Sequence, residues 1–385
     1  CWCPRAEHAA RLARADVTRR SHSRKSEEVQ RHLLTSTLSA TARVGRVLSV
    51  TLALFVALPT GAAAADSAGP TDYRSRIVAI DPATPQVHAS IIGGDSFLEL
   101  RVDRGTAVEV FGYRSEPFIR FLADGTVQEN RTSASYFVSK ARQGAALPAD
   151  FVDDAPPAWH TVATDGRYAW HDHRVHWMTD SRPPGRHPGD VVLREQVPLL
   201  VDDVAVSIIV ESVWVPVASR TPVWLGAIVG LAAGLLAGLG GRFGSLSRWR
   251  ALPTLDVALL ATFVGAWQYR TLPTETGPQV GWFALPAIAA AAAAGAVALH
   301  WRGNRSSLTS NALLLLAGVN LAAWAWMRRE GFSKAILATN APGWLDRFAA
   351  AAAISCGLVT TALGLAALTL AIAAPGRAPA TSPTT

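Results

Sequence analysis

The sequence predicts an all-β antiparallel sandwich of immunoglobulin-like (Ig-like) type, joined to an α-helical transmembrane bundle of about five helices. Three observations predict it. Residues 72–217 alternate apolar and polar positions in short runs rich in β-branched and aromatic residues, with turn residues between them. Residues 222–374 are mostly apolar, dominated by Ala, Leu and Gly, and divide into segments of spanning length. Residues 47–58 form an apolar run behind Arg43 and Arg46, followed by Pro59-Thr60-Gly61 and a run of alanines up to Ala65. That order of basic, apolar and small residues is the pattern of a secretory signal peptide.

Taken along the chain, residues 1–46 read as a disordered extension, or a start placed too far upstream, ending in the basic n-region. Residues 47–65 hold the signal peptide's apolar region and its cleavage site, expected near Ala65. The apolar run is too short to cross a hydrocarbon core of about 30 Å. Residues 66–217 form the extracytoplasmic domain. Its strands are expected at 74–80, 86–92, 96–102, 107–112, 117–122, 126–129, 168–173, 191–197 and 204–214, with a helical turn around 134–142. Asp124-Gly125 reads as a type I′ hairpin. Short strands at this spacing favour a sandwich, and the last one runs almost directly into the first span.

Spans are expected at 222–241, 251–267, 280–301, 308–327 and 348–373, with Trp224, Trp267, Trp282, Trp301 and Trp326 marking their ends as interfacial aromatics. An exported β domain then leaves residues 375–385 as a cytoplasmic tail. Arg242, Arg248, Arg250, Arg302 and Arg305 face the cytoplasm, as the positive-inside rule prefers. Arg328, Arg329, Lys334 and Arg347 fall on the outer side, against that rule. Gly226, Gly230, Gly234 and Gly238 share one helix face, a ladder that lets two backbones approach closely. Its partner is a helix of the same bundle, or a homodimer mate or another membrane protein. The spans hold few polar groups (Asp256, His300, Asn311 and Asn320), which argues against ion-coupled transport.

The formal charge of +7 comes largely from residues 1–46 and the membrane flanks, so it implies a lipid bilayer as partner and no nucleic acid. Cys1, Cys3 and Cys356 all lie outside residues 66–217, which excludes a disulfide or a cysteine-ligated blue-copper centre in that domain.

The chemistry concentrates in residues 170–178, Trp-His-Asp-His-Arg-Val-His-Trp-Met. Together with His160 and His187 this region holds five of the chain's 10 histidines. On a strand, His171 and His173 project from one face about 6.5–7 Å apart. His176 and Met178 are expected to approach through a bend, or His160 from a neighbouring run. Imidazole nitrogens suit copper or zinc, and a thioether shifts the preference toward copper. Asp172 is expected to orient an imidazole from outside the ligand set. Arg174 offers it a structural ion pair instead, and Glu116, Arg120 and Tyr113 offer a polar rim or a further carboxylate. The opposing reading makes the cluster a hydrogen-bonded structural network among tryptophans, in a non-enzymatic envelope scaffold. No Ser or Cys nucleophile motif accompanies the histidines, so an enzyme ranks third.

Gly112-Tyr113, Glu116-Pro117-Phe118-Ile119-Arg120, Thr132-Ser133-Ala134-Ser135-Tyr136, the Trp-His-Asp-His-Arg core and Leu345-Asp346-Arg347 follow one another in an order that resembles an uncharacterised family of actinobacterial membrane proteins. The first block differs from that family's pattern at Ser115 and Phe118, and the second at Ser135. The resemblance implies a secreted β domain followed by a small helical membrane region. It implies no particular activity.

Overall fold

Among the described residues, alternation in the first half resolves into ten strands. The computed structural model describes residues 68–179, 181–240, 247–302 and 307–373. The extension, the signal peptide, the tail at 375–385, Arg242 and Arg305 lie outside the described residues. In chain order the strands are β1 (Tyr73–Asp81), β2 (Val87–Ile92), β3 (Phe97–Val102), β4 (Val108–Phe111), β5 (Pro117–Phe121), β6 (Val127–Asn130), β7 (Trp159–Ala163), β8 (Arg167–His171), β9 (Val191–Val201) and β10 (Val204–Trp214). One short helix, α1 (Ala134–Val138), interrupts them.

The strands form two antiparallel sheets, β1-β10-β9-β4-β5-β6-β7 and β2-β3-β8. Leu98, Leu100 and Trp170 of the small sheet meet Val108, Val110, Phe118, Ile119, Phe121, Leu199, Ile208 and Val210 of the large one, and all are buried. That interdigitated layer is the sandwich core. The seven-and-three division departs from the seven-strand immunoglobulin constant-type plan. β7 had no sequence counterpart among the expected strands. It is a half-exposed edge of the large sheet, so its side chains carry no period-2 burial signal.

The hairpin at Asp124-Gly125 exists, but its turn differs from the expected type. Gly125 takes φ +92° and its N–H donates to the Leu122 carbonyl, while Asp124 is absent from the residues of positive φ. A type I′ turn needs positive φ at both central residues. Here the Asp124 side chain instead accepts from the Thr126 N–H, 2.8 Å away, and fixes the bend locally.

The apolar half forms α2 (Thr221–Leu239), α3 (Leu252–Thr271), α4 (Gly281–Trp301), α5 (Ser307–Met327) and α6 (Gly343–Ala373). Four of them, all but α3, are long and apolar enough to cross a membrane. Small residues face inward: Ala258, Ala261, Ala289, Ala293, Ala296, Ala317 and Ala353 are fully buried. Large ones face outward, among them Leu225, Ile228, Leu259, Phe263 and Leu358. Such an inverted pattern suits lipid as the surrounding solvent, where small inward residues let helices pack closely. Trp224, Trp301 and Trp326 are exposed as expected, but Trp282 is buried, and its carbonyl accepts the Trp324 indole N–H at 2.6 Å. Trp282 is therefore a packing residue. The glycine ladder is covered by α6: a Cβ on Gly226, Gly230, Gly234 or Gly238 would meet Phe348, Ala352, Val359 or Leu363 respectively. A second copy of the chain would have to dock elsewhere on α2.

The β domain is tied to one end of the helices. Thr71 and Ile336 form a β-bridge, Lys334 Nζ donates to Asp72 at 2.9 Å, and Ala68 N–H donates to the Thr276 carbonyl. Phe97, on the outer face of β3, packs with Ala68 and Ala338. The α3–α4 and α5–α6 connections thus both lie under the small sheet. The α2–α3 and α4–α5 connections meet at the opposite end, where Arg250 reaches His300, Ser310 and Asn311. α3 therefore returns the chain to the β domain as a full traverse of the bundle. Gly230→Val forces a branched side chain into the Ala352 backbone. It is expected to destabilise the chain by about 1–3 kcal/mol, read as a lower melting temperature in detergent, whereas Ile228→Val on the exposed face should leave melting unchanged.

Candidate metal centre

β8 places Tyr168 and Trp170 toward the sandwich core and His171 on the other face, opposite Phe97 in register. The two rings stack with centroids 5.5 Å apart. The strand ends there. Asp172 caps a short 3-10 turn, His173–Val175, through its side chain and the Arg174 N–H. Val175 drops into the core and its carbonyl accepts the Ser75 hydroxyl, which anchors the reversal. His173 and His176 are thereby swung back toward His171.

The three imidazoles converge. One ligand nitrogen from each of His171, His173 and His176 lies within 4.8 Å of the others, and the ring centroids are 4.9–5.5 Å apart. His171 Nε2 and His176 Nε2 face each other at 2.9 Å. His176 Nδ1 points to the Trp177 carbonyl at 3.1 Å, and His173 Nε2 to the Ala141 carbonyl at 3.0 Å. A carbonyl only accepts, so each of those nitrogens carries the proton, and His176 Nε2 and His173 Nδ1 are left unprotonated. His171 Nδ1 is buried without a hydrogen-bond partner. His173 also stacks on Tyr113, centroids 5.3 Å apart, and Tyr113 Oη accepts the His173 N–H.

Burial governs the charge state. It holds His171 down at about 3, helped by the neighbouring imidazoles, and His176 at about 4, helped by Arg142. Burial lowers His173 as well. All three imidazoles are neutral at pH 7. Arg142 closes one side of the cluster, donating to Asp95 Oδ2 at 2.5 Å and to Ser96 Oγ at 2.7 Å. Asp95 is fully buried and also accepts from Thr71. No spacing in the sequence marks Arg142, Asp95 or the Ala141 carbonyl, because they come from loops far from the histidines along the chain.

The other expected site residues divide. Asp172 does not touch an imidazole. Its oxygens take Trp170 Nε1 at 2.9 Å and the Arg174 backbone and guanidinium, so the structural ion pair is what forms. Burial alone would raise the Asp172 carboxyl, but the paired guanidinium outweighs it and the group is held below the usual range. Arg174 also donates to the Phe111 carbonyl and lies over the Tyr113 ring. Glu116 belongs elsewhere: it accepts from Ser133 Oγ at 2.7 Å and Ser135 Oγ at 2.8 Å at the start of α1. Arg120 binds Gln128 and covers Trp159. His160 is exposed on β7, paired with Glu129 in the large sheet, and is not in the cluster. His187 sits near Asp190 in an exposed loop. Met178 is half-buried and lines the groove beside the cluster.

Comparison with protein-family models, with curated proteins and with solved structures returns no match to this chain.

Two outcomes follow from that geometry. Asp172→Ala leaves the Arg174 guanidinium buried without its partner and should cost about 3–5 kcal/mol, measured by denaturant unfolding of the full chain in detergent. In the chelator-treated protein, the folded imidazoles titrate near 3 and 4 against an ordinary value of 6.5. The unfolded chain then binds more protons below 6.5, so stability is full above that pH and falls as pH drops toward 4. Melting curves across pH 7.5 to 4 should show this decline, and His171→Gln should flatten it.

Proposed function

We propose that this is a membrane protein whose β domain lies outside the cytoplasm and binds one transition-metal ion through His171, His173 and His176. The observation that carries the reading is the nitrogen arrangement. Two of the three imidazoles hold their second N–H on backbone carbonyls, Ala141 for His173 and Trp177 for His176. Metal-ligating histidines are oriented in this way, since the outer hydrogen bond fixes the tautomer and raises ligand basicity. Two nitrogens bound to one zinc or copper ion at tetrahedral angles sit about 3.3 Å apart, so the 2.9 Å between His171 Nε2 and His176 Nε2 needs only a slight opening. A three-nitrogen set favours Cu(II) over Zn(II) by the Irving–Williams order. Met178 would reinforce that preference if its thioether turned inward from the groove. Three protein ligands leave a coordination position for a small molecule or an incoming donor.

Part of the basic charge that counts against the outward placement is neutralised in the fold. At the helix ends away from the β domain, Arg248 and Arg302 are exposed. Near the β domain, Arg328 pairs with Asp346, Lys334 with Asp72, and Arg347 donates to the Gly331, Lys334 and Ala335 carbonyls. Cations neutralised in this way weigh little in the positive-inside balance. The signal peptide expected at 47–65 and the resemblance to secreted β domains with membrane regions point the same way.

One observation favours a second reading, the structural network. Without metal, the His171–His176 contact is itself a satisfactory imidazole–imidazole hydrogen bond, with His176 Nε2 accepting. The two readings diverge in one experiment. Full-length protein in detergent, stripped with chelator, is titrated with Cu(II) and Zn(II) while metal content and melting are measured. Metal binding predicts one equivalent held at micromolar or tighter affinity. It also predicts stabilisation of about 2.7 kcal/mol at a hundredfold excess over Kd, and His173→Ala, on the half-exposed ligand, should abolish both effects while the chain stays folded. A chain that takes up neither ion at micromolar concentration, and that loses stability when His173 is removed, belongs to the structural reading.

A further inference from the structure

Beside the histidine cluster, where the β domain meets the helices, lies a groove of about 1170 Å³. Its walls come from the β1 edge, the loop after the 3-10 turn, the segment leading into α2 and the α5–α6 connection. The charges lining it are unequal in kind. Lys334 is committed to Asp72, Arg142 to Asp95, and Glu330 has Arg329 at 3.7 Å. Arg182, Arg186 and Arg220 line the same groove and are exposed, and among the described residues none of them has an ion-pair partner. Three uncommitted guanidinium groups facing one concavity repel each other unless an anion joins them. Planar guanidinium forks match phosphate oxygens in pairs.

The groove's position identifies the anion's source. Arg220 immediately precedes the first residue of α2, Thr221, and Trp224 stands exposed one turn further on. An aromatic at that depth marks the level of lipid headgroups. Trp177 and Trp214 add apolar ring surface to the groove walls. From the uncommitted arginines, the aromatic walls and the depth, we infer that this groove binds the phosphate of an anionic phospholipid from the leaflet beside the β domain.

The test uses the full-length protein in a neutral maltoside detergent, titrated calorimetrically with short-chain phosphatidylglycerol, short-chain phosphatidylcholine and inorganic phosphate in separate arms. Phosphatidylglycerol should bind saturably and more tightly than phosphatidylcholine. A single replacement, Arg186→Gln, should weaken it about fivefold, and the triple replacement Arg182→Gln, Arg186→Gln, Arg220→Gln about a hundredfold. These side chains are exposed, so the variants should melt as the parent does. If the triple variant does not fold, the single variant and the salt dependence of the parent carry the same decision. Equal affinity for the two lipids, or unchanged affinity in Arg186→Gln, overturns the inference. Phosphate that binds as tightly as phosphatidylglycerol and displaces it also overturns the lipid assignment, in favour of a soluble phosphate.

Discussion

The site depends on one buried carboxylate. Asp172 stands between a strand that faces the core and a turn that must leave it, and it satisfies both. Its oxygens take the indole N–H of Trp170 behind it and the backbone and guanidinium of Arg174 ahead of it. This stops β8 at His171, holds the 3-10 turn, and brings His176 within hydrogen-bond distance of His171. A buried carboxylate without such partners would be costly. With them it fixes a sharp reversal that backbone preference alone would not specify.

The histidine density was legible because three imidazoles within six residues are rare whatever the fold. Their geometry was not. An extended segment through His173 would have put two imidazoles on one strand face, but Asp172 bends the chain, and a turn gathers three. His160 was drawn toward the site by proximity in sequence, and Glu116 by the carboxylate it could supply. In space one faces solvent from an edge strand and the other is held by Ser133 and Ser135. Arg142 and Asp95 were invisible because contacts between distant loops leave no periodic trace. On the membrane side the glycine ladder announced a close helix contact, since spacing by four survives in any helical context. The start of α6 was placed five residues late, at 348, which left Asp346 and Arg347 outside the span, yet both are neutralised within the connection that precedes them.

Charge shows the same rule at larger scale. Arg328, Lys334 and Arg347 look in sequence like a basic flank on the unfavoured side. In the fold each is absorbed, two by carboxylates and one by a row of carbonyls. Counting residues treats all cations alike, whereas the membrane responds to those left free. The exposed arginines beyond α2 and α4 and those lining the groove are of that second kind.

The seam between Thr71-Asp72 and the α5–α6 connection also dictates an order of biogenesis. Asp72 is bound by the backbone of Ala335, 263 residues later in the chain. A ribosome delivers β1 early and its docking segment only after most of the helices have been made. The sandwich can close around its own core long before then, but the underside of its small sheet, with Phe97 and the approach to His171, stays uncovered until α5 has crossed and the connection has folded back. Completion of the membrane region is thus the last step in finishing the β domain, and a chain truncated before α5 would carry a sandwich with an open floor.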